Sequence, residues 1–306
     1  MKVFLTPRVL LTLLFAVVFW ASAFAGIRAG LQSYPPAHLA IVRFLVASAV
    51  LVLYAALSHF RRPELKDLAG FALTGLLGIT YYNLALNYGE TNVTAGTASL
   101  LIASTPVWTA ISASIGLRER LSTWGWLGIL LSFTGAGIIA RSESEGQGIH
   151  LSVHALIILS SSVFSGIYMV MQKHYLARYR ALEFTAYSMW FGTLFMLPFS
   201  GGLLTTLRHA APAHTAAVIY LGIFPAALAY VAWAYVLSHA PASRTASLLY
   251  LIPVCAIFIA WVWLREVPKF LSLLGGLVAI MGAMVVNFLG HRQVKPQESL
   301  AVEPSA

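Results

Sequence analysis

The sequence has little charge. Only 9% of its 306 residues are Asp, Glu, Lys or Arg, whereas 59% are hydrophobic. A soluble domain carries about 25% charged residues, so this composition excludes a soluble globular protein of this size. The single cysteine, Cys255, excludes an internal disulfide. No segment alternates polar and apolar residues with a period of two, which argues against a transmembrane β-barrel. The composition therefore predicts an all-α polytopic membrane protein.

Ten apolar runs, each long enough for a helix that crosses a bilayer, are separated by short polar or Gly- and Pro-containing segments. Polar segments of this kind include 58–67, 89–93, 117–122, 141–152 and 208–214. The ten predicted spans cover residues 9–29, 37–57, 68–88, 94–115, 123–140, 154–174, 183–203, 215–236, 245–264 and 269–289.

The basic residues predict the orientation of these spans. If the spans alternate, thirteen of the 19 Lys and Arg residues lie on the side of the N-terminus and five on the other side. Basic loops stay in the cytoplasm, so both termini are predicted to lie inside, and the net charge of +9 requires no nucleic-acid partner. A cleaved signal peptide is the competing interpretation of the first run. The polar tail, residues 291–306, is predicted to be disordered.

The two halves of the chain resemble each other. Short motifs of the first half recur in the same order in the second half, at an offset of 148 residues before the shared prolines and 147 from them onward. Such an ordered series indicates an internal repeat, with boundaries predicted at 1–147 and 148–290. The recurring pairs are Thr97–Leu101 with Thr245–Leu249, Pro106 with Pro253, Leu117–Glu119 with Leu264–Glu266, Gly128 with Gly275, and Gly135 with Gly282.

Each repeat has five predicted spans, an odd number, so the second copy must enter the membrane upside down. Inverted repeats are typical of secondary transporters, whose substrate site lies near the midplane between the halves. Transport by alternating access then follows from the movement of one half against the other.

These features resemble the drug/metabolite transporter superfamily over about residues 9–289. The resemblance rests on the inverted five-plus-five repeat, the prolines of spans 4 and 9, the Leu-Arg-Glu that follows them and the Gly-rich spans 5 and 10. Within the superfamily the chain is similar to the EamA-type branch and to its YddG-type exporters of aromatic amino acids, methionine and similar neutral amino acids. The resemblance implies a bacterial inner-membrane exporter with a pathway lined by helices 1–4 and 6–9, no cofactor, no metal and no enzymatic activity.

Acidic residues are missing from the middle of the predicted spans. All ten lie at span ends, in loops or in the tail. A carboxylate buried in the membrane is the simplest device for binding a cationic drug or exchanging it for protons. Its absence argues against a multidrug antiporter and favours facilitated export of a net-neutral substrate, although a span-end Glu or water remains an alternative proton carrier.

Arg43 is the one clear ionisable residue inside a span. A structural interpretation has its guanidinium reaching toward the outer surface or binding backbone carbonyls. A functional interpretation makes it an anchor for a substrate carboxylate, since the planar guanidinium binds carboxylates through two hydrogen bonds.

Polar and aromatic side chains of the other pathway spans complete the predicted site, although Ser also serves helix packing and Trp and Tyr also anchor membrane interfaces. The predicted substrate-binding residues are Trp20, Ser22, Arg43, Tyr82, Asn83, Ser99, Tyr168, Tyr230, Trp233, Ser247 and Tyr250. Hinges that let spans 3–4 and 8–9 gate opposite faces are predicted at Gly75, Gly78, Pro106, Gly222, Pro225 and Pro253.

Small residues in spans 5 and 10 predict close helix packing within each half. The expected partners are a small neutral or zwitterionic amino acid and the lipid bilayer, with a monomeric chain; a dimer through helices 5 and 10 is the alternative. A carrier for other small metabolites or drugs, including sugar phosphates, an intramembrane enzyme and a channel are the alternative functions.

Overall fold

The computed structural model describes residues 6–58, 60–116, 121–144, 152–239 and 247–289, so the predicted disordered tail lies outside the described residues. Within these ranges, helices α1–α10 follow the ten apolar runs in order, and a short additional helix, Leu203–His209, precedes α8. Their bounds are Pro7–Gly30, Pro36–Leu57, Leu65–Gly89, Ala95–Gly116, Thr123–Ser142, Val153–Leu176, Ala181–Met196, Pro212–Leu221 continued by Gly222–Leu228 and Ala229–His239, Leu251–Leu264, and Phe270–Leu289.

Contacts between loops show that the helices alternate in direction. At one end, Arg28 near the end of α1 pairs with Glu266, which follows α9, at 2.9 Å and donates to the backbone carbonyl of Glu90, which follows α3. At the opposite end, Arg178 after α6 pairs with Asp67 at the start of α3 at 2.6 Å. These are the predicted outer and inner ends of the bundle, and we use those names below.

Eight of the described helices are long and apolar enough to cross a membrane. A ninth is added if α7 and the short helix after it form one bent span, and α9 is an apolar helix of 14 residues. The chain is therefore an all-helical polytopic membrane protein. The number of ten membrane-spanning helices stays a prediction.

The seventh span is shorter than the sequence predicted. The predicted span continues to residue 203, but α7 closes with the 3₁₀ turn Leu197–Phe199. The chain then turns by 90° into the short helix Leu203–His209. Gly202 makes this turn with φ of 79°, a left-handed conformation that glycine adopts without steric cost.

The glycine faces of α5 and α10 pack against each other, which corrects the expectation that each helix packs within its own half. A Cβ built on Gly128 would lie 2.7 Å from the carbonyl oxygen of Gly282, and one built on Gly135 would meet the carbonyl oxygen of Gly275 at 2.5 Å. From Gly128 to Gly135 the residue number in α5 increases, while that of the contacted residue in α10 decreases from 282 to 275. The two equivalent helices of the repeats therefore run antiparallel, as an inverted repeat requires.

One hydrogen bond of this interface joins equivalent positions. The hydroxyl of Ser132 donates to the carbonyl oxygen of Ala279 over 2.8 Å, and the two residues are 147 positions apart. The same offset relates the two glycine contacts to each other, because Gly128 is equivalent to Gly275 and Gly135 is equivalent to Gly282. The contacts of α5 and α10 thus obey a twofold relation whose axis passes near Ser132.

Both repeats contain a π-helical segment at equivalent positions. The segments Gly75–Tyr81 of α3 and Gly222–Leu228 of α8 are separated by the same 147 residues. A Cβ on Gly75 would lie 2.5 Å from the carbonyl oxygen of Ser188, and one on Gly222 would lie 2.7 Å from that of Arg43. Glycine is needed at both positions because a neighbouring backbone approaches so closely. Local π geometry of this kind often occurs at functional sites.

We expect Gly135→Ala to destabilise the protein. The added Cβ would collide with the backbone of Ala279 in α10, and overpacking of this kind costs about 1–3 kcal/mol. Gly137→Ala is the matched control, because nothing lies within 4 Å of a Cβ at that position. Thermal unfolding of the purified protein in detergent tests this. Equal melting temperatures for the two variants would contradict the α5–α10 contact.

Candidate substrate site

Arg43 is buried in the second turn of α2. The residue is only 6% exposed, so its guanidinium does not reach the surface, which was one of the two structural possibilities. Its guanidinium carbon lies 5.2 Å from the ring centre of Phe44, while Nε and Nη1 have no hydrogen-bond partner among the described residues. Trp190 stands 147 positions later in α7, and its indole Nε1 is buried without a partner in the same way.

Tyr230 connects the helices around Arg43. Its phenol lies near the side chains of Arg43, Tyr82 and Tyr168. Its ring also meets the ring of Trp20 at 5.6 Å in an edge-to-face arrangement. Side chains of α1, α2, α3, α6 and α8 therefore converge at one place inside the bundle. We call Arg43, Tyr82, Tyr168, Tyr230 and Trp20 the central cluster.

Two further predicted residues lie beside the central cluster. The rings of Trp233 and Trp20 are 5.5 Å apart, which extends the aromatic surface along α8. Asn83 follows Tyr82 on α3, and its side-chain amide donates to the carbonyl oxygen of Ile79 over 2.8 Å. The side-chain oxygen of Asn83 is buried and unpaired.

The other predicted side chains have their contacts with residues outside the central cluster. Ser22 shares a 2.6 Å hydrogen bond with the hydroxyl of Tyr220, and Ser99 donates to the carbonyl oxygen of Gly96 within its own helix. Tyr250 belongs to a separate apolar cluster and has a buried, unpaired hydroxyl. The backbone of Ser247 lies in a 3₁₀ turn, whereas its side chain lies outside the described residues.

The predicted hinges of α3 and α8 coincide with the π segments. Gly75 and Gly78 lie in the first segment, and Gly222 and Pro225 in the second. The ring of Tyr168 packs directly on Gly78. The indole of Trp20 donates to the carbonyl oxygen of Pro225 over 3.2 Å. The hinges therefore touch the central cluster.

The predicted hinges of α4 and α9 lie at helix starts. Pro106 is the second residue after a break at residues 103–104 that divides α4. Pro253 is the third residue of α9, directly after the 3₁₀ turn Ser247–Tyr250. Both prolines follow an interruption of the helix rather than bending a continuous one.

Sequence reasoning missed Glu90. The sequence places it in a turn at the end of α3, but the residue is 0% exposed, and neither carboxylate oxygen has a hydrogen-bond partner among the described residues. Glu90 lies at a span end, as the sequence predicted, but the burial of its side chain was not anticipated. Removal from water raises the pKa of Glu90 well above its usual range, and the positive charges of Arg28 and Arg43 oppose this. The available signal was the spacing of Asn83, Asn87 and Glu90, which puts them on one helix face.

An ion pair closes the outer end above Glu90. The guanidinium of Arg28 binds Glu266 at 2.9 Å and also donates to the carbonyl oxygens of Glu90 and Thr91. The other carboxylate oxygen of Glu266 accepts a hydrogen bond from the backbone of Ala95. This latch joins α1 and the α3–α4 turn to the loop that follows α9.

The inner end has its own network, which joins the loop before α3 to the loop before α7. Asp67 accepts hydrogen bonds from Arg178 and from the hydroxyl of Tyr179. Glu64 pairs with Lys66 at 2.8 Å, and this contact holds the pKa of the half-buried Glu64 carboxyl below its usual range.

We expect Ser22→Ala and Tyr220→Phe each to lower the free energy of unfolding by about 1 kcal/mol, because each removes one partner of a hydrogen bond. The double variant should lose little more than either single variant, since the bond can be removed only once. Thermal unfolding and the half-saturation concentration for transport are measured together. A selective rise in the half-saturation concentration without loss of stability would support the prediction that Ser22 binds substrate.

The chain is similar to known transporters along most of its length. The model of the EamA-like transporter family matches residues 7–141 and again 153–288. "Uncharacterized transporter YdfC" of Bacillus subtilis is 38% identical over 90% of each chain. A protein of Streptantibioticus cattleyicolor named "Probable terminal-alkyne amino-acid exporter" is 40% identical over 92% of this chain and 94% of its own.

A solved crystal structure with 18% identity superposes with a TM-score of 0.61 over 92% of this chain and 96% of that chain. At this identity the likeness shows a shared fold alone. The family match and the two relatives above carry the assignment further: the chain belongs to the EamA-like transporter family and is a multi-pass membrane transporter.

Proposed function

We propose that the protein exports neutral amino acids, such as aromatic amino acids, methionine and threonine, across a bacterial inner membrane by alternating access. The observation that carries this proposal is the buried guanidinium of Arg43 with two unpaired donor groups inside a cluster of aromatic rings. A buried charge without a partner is costly, and a substrate carboxylate supplies the missing acceptors. The name of the Streptantibioticus relative is consistent with this substrate class.

The chemistry of the central cluster favours a zwitterion over other substrates of the superfamily. A sugar phosphate carries about two negative charges, whereas Arg43 is the one basic side chain in the central cluster. Phenol and indole rings offer weak dipoles and apolar surface, which suit an uncharged side chain. A net-neutral molecule with one carboxylate matches one basic side chain surrounded by aromatic rings.

The π segments support a gating role for α3 and α8. Each segment lies in the middle of its helix, at equivalent positions of the repeats, and contacts the central cluster. Bending there would move the outer part of one helix and the inner part of the other. The Arg28–Glu266 latch would then hold the outer end closed while the substrate enters from inside.

A monomer is the functional unit in this proposal. The small-residue faces of α5 and α10, which were the alternative dimer interface, face each other within the chain. The same contact keeps the two halves together while α3 and α8 bend.

We expect Arg43→Gln to raise the half-saturation concentration for L-phenylalanine about 10- to 100-fold. A hydrogen-bonded charge contributes about 1.5–3 kcal/mol, and each 1.4 kcal/mol is about tenfold in affinity. Arg43→Lys should give a smaller loss, since it keeps the charge but not the planar guanidinium. Counterflow of labelled amino acid in vesicles containing purified protein measures this effect.

Arg208→Gln is the matched control for this experiment. Arg208 is an exposed basic residue at the outer end of the bundle, and its removal should leave transport unchanged. Unaltered half-saturation in Arg43→Gln would refute the carboxylate anchor. Flux that never saturates and does not distinguish L- from D-phenylalanine would refute a carrier and indicate a channel.

We expect Pro225→Ala to slow transport several-fold without changing half-saturation. Alanine restores the backbone N–H that proline lacks, so α8 can replace its π segment by regular helix and resist bending. Pro212→Ala is the control, because Pro212 occupies the first position of a helix, where proline is ordinary. A wild-type rate in Pro225→Ala would exclude this segment as a hinge.

A further inference from the structure

Three buried acceptor groups lie in a row on α3 and the turn that follows it. Asn83, Asn87 and Glu90 occupy positions i, i+4 and i+7, which place their side chains on one face of a helix. The side-chain oxygen of each Asn and both carboxylate oxygens of Glu90 are buried and have no hydrogen-bond partner within the described part of the chain. Buried acceptors are normally paired, so a row of unpaired ones points to a missing donor.

The row faces the region of Arg43. The amide of Asn87 donates to the carbonyl oxygen of Pro36 at the start of α2 over 3.1 Å, which aligns the end of α3 with the start of α2. Arg43 lies two helical turns further along α2. Arg43 and Glu90 interact electrostatically but form no ion pair in the described part of the chain.

The two unpaired sets are chemically complementary to one class of molecule. Arg43 presents unpaired donors, and the row on α3 presents unpaired acceptors. An α-amino acid carries an acceptor group, its carboxylate, next to an ammonium group with three donors. Bound between the two helices, it would satisfy both sets at once.

The groups around Glu90 cannot replace this ligand. Arg28 is the nearest basic residue, but its guanidinium is already bound to Glu266 and to the carbonyl oxygens of Glu90 and Thr91. Glu266 adds a second negative charge nearby, which disfavours ionisation of Glu90. A substrate ammonium is a mobile positive charge that can enter and leave.

We propose that Glu90 binds the ammonium group of the substrate, assisted by the side-chain oxygen of Asn87, while Arg43 binds the carboxylate. This assignment rests on the proposed function, because it names how the same site recognises an amino acid. It makes Glu90 a specificity-determining residue that distinguishes amino acids from carboxylic acids of the same shape.

The test compares L-phenylalanine with 3-phenylpropionate, which has the same ring and carboxylate but no amino group. Both compete for transport of labelled L-phenylalanine in vesicles containing purified protein. The wild-type protein should bind phenylalanine at least about tenfold more tightly than 3-phenylpropionate, as expected for a charge-assisted hydrogen bond. Glu90→Gln should bring this ratio close to one by weakening phenylalanine alone.

Glu143→Gln is the matched control. Glu143 is also a buried acid at the outer end, but its carboxylate already accepts hydrogen bonds from Thr97 and Ser272. This variant should keep the wild-type ratio. A wild-type ratio in Glu90→Gln, or an equal loss of affinity for both compounds, would overturn the proposal and leave Glu90 with a structural role.

Two outcomes do not depend on the folding of a variant. If the wild-type protein binds 3-phenylpropionate as tightly as phenylalanine, the ammonium contributes nothing and the proposal is wrong. If the wild-type protein transports neither phenylalanine, methionine nor threonine, the proposed function itself fails. The two failures are therefore distinguishable in the same vesicles.

Discussion

The backbone of this protein must satisfy its own hydrogen bonds, because the hydrocarbon core of a membrane offers none. This constraint explains why the described chain is helical and why its departures from regular helix are so informative. A π segment or a helix break is tolerated only where protein covers it or a side chain binds the released carbonyl group. The indole of Trp20 binds the carbonyl group of Pro225 in this way. The irregular backbone of α8 is therefore in direct contact with a residue of the candidate site.

Local patterns in the sequence were sufficient to predict most of the helices. Apolar runs fix where a helix can cross a membrane, and polar or Gly-containing turns fix where it ends. The repeat was readable because the same motifs recur in the same order, at an offset of 148 and then 147 residues. The structure shows the offset of 147 again in the π segments and in the Ser132–Ala279 bond. The membership of the EamA-like family also followed from these ordered motifs.

Other features depend on contacts that no local pattern contains. The 90° turn after α7 needs only one glycine, and many glycines in the chain do not turn. Ser22 was predicted as a pathway residue, and no local pattern indicated that it shares a hydrogen bond with Tyr220, 198 positions away. Glu90 follows a helix end, and its sequence neighbours do not show that Arg28 and the loop after α9 cover it. The burial of a turn is a tertiary property, which the composition of that turn does not reveal.

The equivalence of Arg43 and Trp190 has a consequence for direction. Two identical halves related by a twofold axis would present the same chemistry to both sides of the membrane, and neither opening would be preferred. Here one half places a cation at the position where the other places an indole. If a substrate binds at Arg43 as proposed, it lies off the twofold axis, and the two half-cycles of the carrier then differ in energy. Fusion of the repeats into one chain permits this asymmetry, because each copy can change alone.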